Sequence, residues 1–189
     1  MIKKAAFCAY LPIALAAIVL FWAVASYNTL LGSDQAVKQQ WSQVENQLQR
    51  RSDLIPNYVR VVQGYAKHER ELFENIATSR AQLAGARTPQ ESMTAANQLS
   101  GALSRLLMIV ENYPQLKANE NFLRLQDELA GTENRLAVAR RDYNLAVQIY
   151  NTRARGFPTV LVVRLLGFDV EKPFFKAAPG AEKVPEVEI

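Results

Sequence analysis

Apolar positions along the chain fall into three regimes. From Ala5 to Ala25 no charged residue occurs, and Leu11, Ile13, Leu15, Ile18, Val19, Leu20, Phe21 and Trp22 make the run strongly apolar. About 20 such residues, at 1.5 Å of helix rise each, cross the roughly 30 Å hydrocarbon layer of a bilayer. From Val37 to Tyr150 the apolar residues recur at heptad steps. Past Gly156, Pro158 opens a short apolar run through Val160, Leu161, Val162, Leu165 and Leu166 that closes at Gly167, and it reads as a short helix or a strand-like segment packed on the rest.

The heptad steps predict helices packed side by side. Trp41, Leu48, Ile55, Val62, Ile76 and Leu83 form one row, interrupted by Glu69. Val37, Val44, Tyr58, Tyr65 and Leu72 form a second, interrupted by Arg51. Two adjacent rows make the seam of a left-handed helix packing. Met93, Ala96, Ser100, Leu103, Leu107 and Val110 keep a three-four spacing until Asn112-Tyr113-Pro114 ends that helix. Phe122, Leu129, Leu136, Tyr143 and Tyr150 then step by seven, with Leu125, Thr132, Ala139 and Ala146 as the companion row.

Local signals place the helix ends. Gly32-Ser33-Asp34 reads as a break with an N-cap ahead of the bundle, and Thr88 before Pro89 and Glu91 as a capped start with proline in the first turn. Short connectors make sequential helices antiparallel. Pro56 leaves two readings open: Asp53 caps a new helix and the chain reverses, or one helix runs on with a kink. The unbroken phase of the first row, and the absence of glycine from Arg51-Ser52-Asp53, favour the kink. The expected fold is all-α. It has an N-terminal transmembrane helix (residues 1–26), then an elongated antiparallel helical bundle (27–176) of three long helices, the first kinked or split into two, plus a short C-terminal helix. A flexible tail (177–189) closes the chain, because three prolines, a glycine and mixed charge from Pro173 onward leave nothing to pack.

The apolar N-terminal run has a rival explanation. Ala23-Val24-Ala25 before Ser26 resembles the small-x-small site of a cleavable signal, but the run exceeds the roughly 7–15 residues of a signal core and so favours an uncleaved anchor. Trp22 and Tyr27 suit the interfacial belt, and Lys3 and Lys4 ahead of the span place the N-terminus in the cytoplasm and the bundle on the extracytoplasmic side.

Composition narrows the chemistry. The chain has 189 residues, 49% of them hydrophobic and 21% charged, which is the profile of one globular domain plus an anchor. Setting aside Lys3 and Lys4 leaves 20 Lys and Arg against 18 Asp and Glu, so no basic surface for nucleic acid is expected. The single Cys8 lies inside the apolar run, too early to carry a lipoprotein acyl group, and excludes an internal disulfide framework or cysteine metal cage.

His68 is the sole imidazole. His68-Glu69 suggests a zinc protease, but Leu72 stands where the second histidine would be needed. Glu128 and Glu133 could pair as acid and base, although a helix rich in solvated charges yields such pairs by chance. Arg51 and Glu69 fall on seam positions, where a lone charge is costly. Their long stems reach the bundle edge in one reading. In the other they join a polar network with Glu133, Arg140 or Asn144. No catalytic, cofactor-binding or metal site is expected, and the chain is not expected to be an enzyme.

Several segments resemble the LemA family of bacterial membrane proteins. They are Tyr27-Asn28-Thr29-Leu30, Arg50 through Asn57, Gly64 through Glu69, Glu111 through Pro114, Thr132 through Arg135, Arg140 through Asn144, Tyr150-Asn151 and Phe157-Pro158. Tyr58 and Ile189 are minor departures. The resemblance implies a single-pass membrane helix, an antiparallel helical bundle and no established enzyme activity. It points to a scaffold or interaction protein of the bacterial envelope at the inner membrane, or alternatively to an accessory or regulatory subunit of a membrane enzyme such as a protease. The partners so implied are the lipid bilayer, an unidentified protein and a homo-oligomer.

Overall fold

The computed structural model describes the backbone of residues 2–176 and the side chains from residue 12 onward. Cys8 as a side chain, and the tail over 177–189 with Ile189, lie outside the described residues. The described residues form six α-helices: α1 (Ile2–Gln63), α2 (Arg70–Gly85), α3 (Pro89–Val110), α4 (Pro114–Lys117), α5 (Glu120–Arg155) and α6 (Thr159–Leu166). The fold is all-α, with one long apolar N-terminal helix, as the periodicity predicts. The run after Pro158 is the helix α6.

Two compact units are distinguished. One takes the residues up to Gln40 with Leu145–Lys172, and the other takes Trp41–Asn144 with the described residues from Pro173 onward. In the second unit the edge-on ring pair Trp41–Tyr143 and the tilted pair Tyr58–Phe122 show α1 and α5 running antiparallel. Its core gathers Ile55, Tyr58 and Val62 of α1, Leu72 and Ile76 of α2, Leu99, Leu103 and Leu106 of α3, Leu116 of α4, and Phe122 and Leu129 of α5. The Tyr58 hydroxyl is buried without a hydrogen-bond partner among the described residues, and burial pushes its pKa up to about 12.

Two expectations about helix ends are corrected. Gly32-Ser33-Asp34 is no break, because α1 continues through it and Ser33 and Asp34 are buried. The Ser33 hydroxyl donates to the Thr29 carbonyl at 2.9 Å and accepts from Arg153, so residues that read as a cap are partners for α5. The first long helix is split, but at Gly64 through Glu69 rather than at Pro56. Tyr65 is therefore exposed, and Glu69 interrupts the heptad row because it stands before α2 rather than inside a helix. The Thr88 cap is found as expected: its hydroxyl accepts from the Glu91 N–H at 3.2 Å, while the Glu91 carboxylate accepts from the Arg87 N–H at 2.8 Å.

Helix α1 passes through Pro56 without reversing. A proline inside a helix has no N–H for the carbonyl four residues back, which here is Ser52. The Arg80 Nε of α2 donates to that carbonyl at 3.0 Å and to the Ser52 hydroxyl at 3.2 Å. The freed acceptor is thereby satisfied where Ser52 is buried. Arg80→Ala should destabilise the protein by about 1–3 kcal/mol, the cost of leaving a buried acceptor unpaired. The same change should cost much less in a Pro56→Ala background, where residue 56 regains an N–H, and denaturant unfolding of the four proteins in detergent measures the difference.

Candidate functional site

Arg51 holds a seam position on α1 and is only 3% exposed. Its Nη1 meets Glu133 Oε2 of α5 at 2.9 Å and donates to the Ser100 hydroxyl of α3 at 3.0 Å. A cation that is nearly dry survives only with such partners. Arg140, one helical turn pair beyond Glu133 on α5, brings its Nη1 to 4.0 Å from Glu133 Oε1 and lays its guanidinium 4.2 Å from the centre of the Phe175 ring. Burial drives both guanidinium pKa values below their ordinary value. Glu133 opposes that shift at each, and Arg51 adds to it at Arg140. Two cations thus share one carboxylate, and Arg51 Nε with Arg140 Nε and Nη2 are buried without a hydrogen-bond partner among the described residues.

Of the two readings of Arg51, the polar network with Glu133 and Arg140 is the one found. Its guanidinium turns inward to Glu133 of α5 and Ser100 of α3 instead of out to the bundle edge. Asn144 takes no part in the network. It instead grips the extended chain after α6: its Nδ2 donates to the Phe175 carbonyl at 2.9 Å, and its Oδ1 accepts from the Phe175 N–H at 2.7 Å. Beside it the Tyr143 hydroxyl donates to the Pro173 carbonyl at 3.0 Å.

The same chemistry recurs in the other unit. Asn151 Nδ2 donates to the Lys172 carbonyl at 3.0 Å, Asn151 Oδ1 accepts from the Lys172 N–H at 2.7 Å, and the Tyr150 hydroxyl donates to the Asp169 carbonyl at 2.7 Å. The Lys172 ammonium then reaches Asp34 at 2.8 Å and Asp169 at 3.2 Å, with the Tyr150 ring 4.9 Å away. Lys38 closes on the other Asp34 oxygen at 2.8 Å. Burial works against the Asp34 carboxylate, yet hydrogen bonds and charge attraction from Lys172 and Lys38 outweigh it and hold its pKa below the ordinary value. Lys172 is shifted upward, because Asp34 and Asp169 overcome its burial. The repeat of Tyr-Asn at a seven-residue interval on α5 was a visible signal for this strap.

These groups hold backbone and helices together rather than converge on a substrate. Glu128 is paired with Arg50 at 3.4 Å and Glu133 with Arg51, so the two acids serve different cations. His68 is exposed between α1 and α2, not inside a helix. Among the described residues, no group of three His, Cys, Asp or Glu is placed to hold a metal ion.

An all-helical bundle with one apolar N-terminal helix, its interior charges committed to packing, fits a membrane-associated protein. A model of the LemA family matches residues 40–189, and the chain belongs to that family. It is similar to magnetosome proteins MamQ 1 and MamQ 2 of Paramagnetospirillum magneticum, each 24% identical with 82% of this chain and 66% of the relative covered. It thus spans just under two thirds of those relatives' length. It is also similar to Protein LemA of Metamycoplasma hominis, 24% identical over 79% of this chain and 68% of that protein.

Two outcomes test this geometry. Glu133→Gln should destabilise the protein by about 2 kcal/mol, at the low end for exposing a buried ion to an uncharged partner because Glu133 is itself half-exposed and screened. Arg51→Met combined with Glu133→Gln should cost less than the sum of the two single changes in denaturant unfolding. Asp34, with its folded pKa depressed, contributes stability that is present above about pH 4 and lost as pH falls through the folded pKa. Asp34→Asn should flatten the acid limb of the stability curve, and an unchanged slope between pH 5 and 2 would remove Asp34 from that role.

Proposed function

We propose that this chain is a membrane-anchored, non-enzymatic scaffold or interaction protein of the bacterial envelope. Residues 1–26 form the single-pass anchor in the inner membrane, residues 27–176 form the interaction bundle, and residues 177–189 form a tail. The observation that carries the reading is the character of α1. Over Ile13, Leu15, Ile18, Val19, Leu20 and Phe21 it presents large apolar side chains outward, and the same unbroken helix becomes buried from Leu30 onward. Outward-facing apolar residues on a helix long enough to cross a bilayer call for lipid. The continuity of α1 across Ala23-Val24-Ala25-Ser26 supports retention of the anchor rather than cleavage.

Lys3 and Lys4 before the span support a bundle on the extracytoplasmic side. An anchored bundle searches for its partner in two dimensions, which raises effective concentration without any new contact. The relatives named as magnetosome proteins support a membrane-associated role. The protein should remain in the membrane pellet through carbonate and high-salt washing, and a soluble product beginning at Ser26 would overturn the anchor. An alkaline phosphatase fused after Ile189 should be active, since its disulfides form only outside the cytoplasm. Cross-linking in intact membranes followed by mass spectrometry identifies the partner. Recurrent capture of one membrane enzyme, for instance a protease, would replace the general scaffold with an accessory subunit.

A further inference from the structure

A surface helix ordinarily turns polar residues outward, and α6 does the reverse. Its inward face is apolar and buried through Val162 and Val163. Its outward face is apolar as well: Leu161 is 58% exposed and Leu165 84%, and Phe157, one turn ahead of Leu161, is 84% exposed. Leu161 and Leu165 are four residues apart and so line one side of α6, while exposed Phe157 stands in the turn just before the helix. Apart from exposed Arg164, α6 is apolar on its outward as well as its inward face, and such a helix belongs in a protein core or in lipid.

The position of α6 within its unit says which surface covers that half. The helix ends at Gly167, whose φ of 73° is a left-handed turn suited to glycine, and Phe168 follows with its N–H on the Val163 carbonyl at 3.1 Å. The Phe168 ring then packs edge-on against Tyr27 of α1, with centroids 5.8 Å apart. Tyr27 stands two residues past Ala25, about 3 Å of helix rise beyond the uncharged span. At its other end α6 follows the last turn of α5, where Arg153 donates to Ser33 of the same α1. Both ends of α6 are therefore tied to the stretch of α1 that leaves the bilayer. Exposed Arg164 flanks Leu161 and Leu165, whereas Arg153 just ahead is held by Ser33 and Arg155 pairs with Glu171 at 3.5 Å. A cation beside an outward apolar face suits the boundary between acyl chains and anionic headgroups.

We propose that α6 is a second membrane contact, an interfacial helix that lays Phe157, Leu161 and Leu165 into the same leaflet from which α1 emerges. It makes the unit bind lipid at two points, a span and a helix lying along the surface. The inference rests on α1 being the anchor, so its test must separate the two.

The test uses the full chain with Cys8→Ser, reconstituted in vesicles of phosphatidylethanolamine and phosphatidylglycerol. Single cysteines at Leu161, Leu165, Ile18 and Gln35 carry a nitroxide spin label. Accessibility to oxygen, which partitions into lipid, is compared with accessibility to a water-soluble nickel chelate. Labels at Leu161 and Leu165 should favour oxygen, as the label at Ile18 does, while the Gln35 label favours the chelate. Unchanged helical circular dichroism verifies that each labelled chain is folded.

If the Ile18 label reports lipid and the Leu165 label favours the chelate as strongly as Gln35 does, α6 is not a membrane contact although the anchor stands. If Ile18 itself reports water, the anchor fails first and the inference with it. Spectral broadening at Leu165 that disappears on dilution with unlabelled chain would assign this face to a second copy and equally overturn the proposal.

Discussion

A guanidinium removed from water must be met by charge and by hydrogen-bond acceptors from its surroundings, and Arg51 imposes that demand on three helices at once. Glu133 of α5 and Ser100 of α3 answer it. Apolar heptad rows tolerate sliding, because one leucine fits much like the next. An ion pair with a 2.9 Å separation does not slide, so the register of α1 against α5 follows from it. The second cation, Arg140, adds repulsion that only Glu133 and the Phe175 ring relieve, which ties the chain after α6 to the same arrangement.

Elsewhere the fold depends on side chains that serve backbone groups left without a helical partner. Proline at position 56 orphans the Ser52 carbonyl, and an arginine from α2 takes it. The extended segments around Lys172 and Phe175 have no neighbouring strand among the described residues, and Asn151 and Asn144 give each of them the donor and acceptor that a strand would have offered. The family-like segments Arg50 through Asn57, Arg140 through Asn144 and Tyr150-Asn151 thus acquire structural roles, which agrees with a protein whose polar residues organise packing.

Much of this was legible in the pattern of residues. Phe122, Leu129, Leu136, Tyr143 and Tyr150 were expected on one row and all are buried. The cap at Thr88 was readable because its chemistry is local. What failed was non-local: Ser33 and Asp34 have the composition of a cap, and only the arrival of Arg153 and Lys172 turns them into interior partners. The end of α1 at Gln63 was missed for a related reason, since the heptad row resumes in phase at Ile76 after the connector. Arg51 announced itself as a charge in an apolar row, whereas for Asn144 the sequence shows only its own side of the contact, the Tyr-Asn repeat on α5, because its partners are main-chain atoms.

That last point bears on how the chain can change over generations. Asn144 and Asn151 contact the N–H and C=O of Phe175 and Lys172, groups that nearly every amino acid possesses. The two asparagines would hold almost any residue by its main chain, whereas the side chains they hold are committed separately, Lys172 to Asp34 and Asp169 and Phe175 to the Arg140 guanidinium.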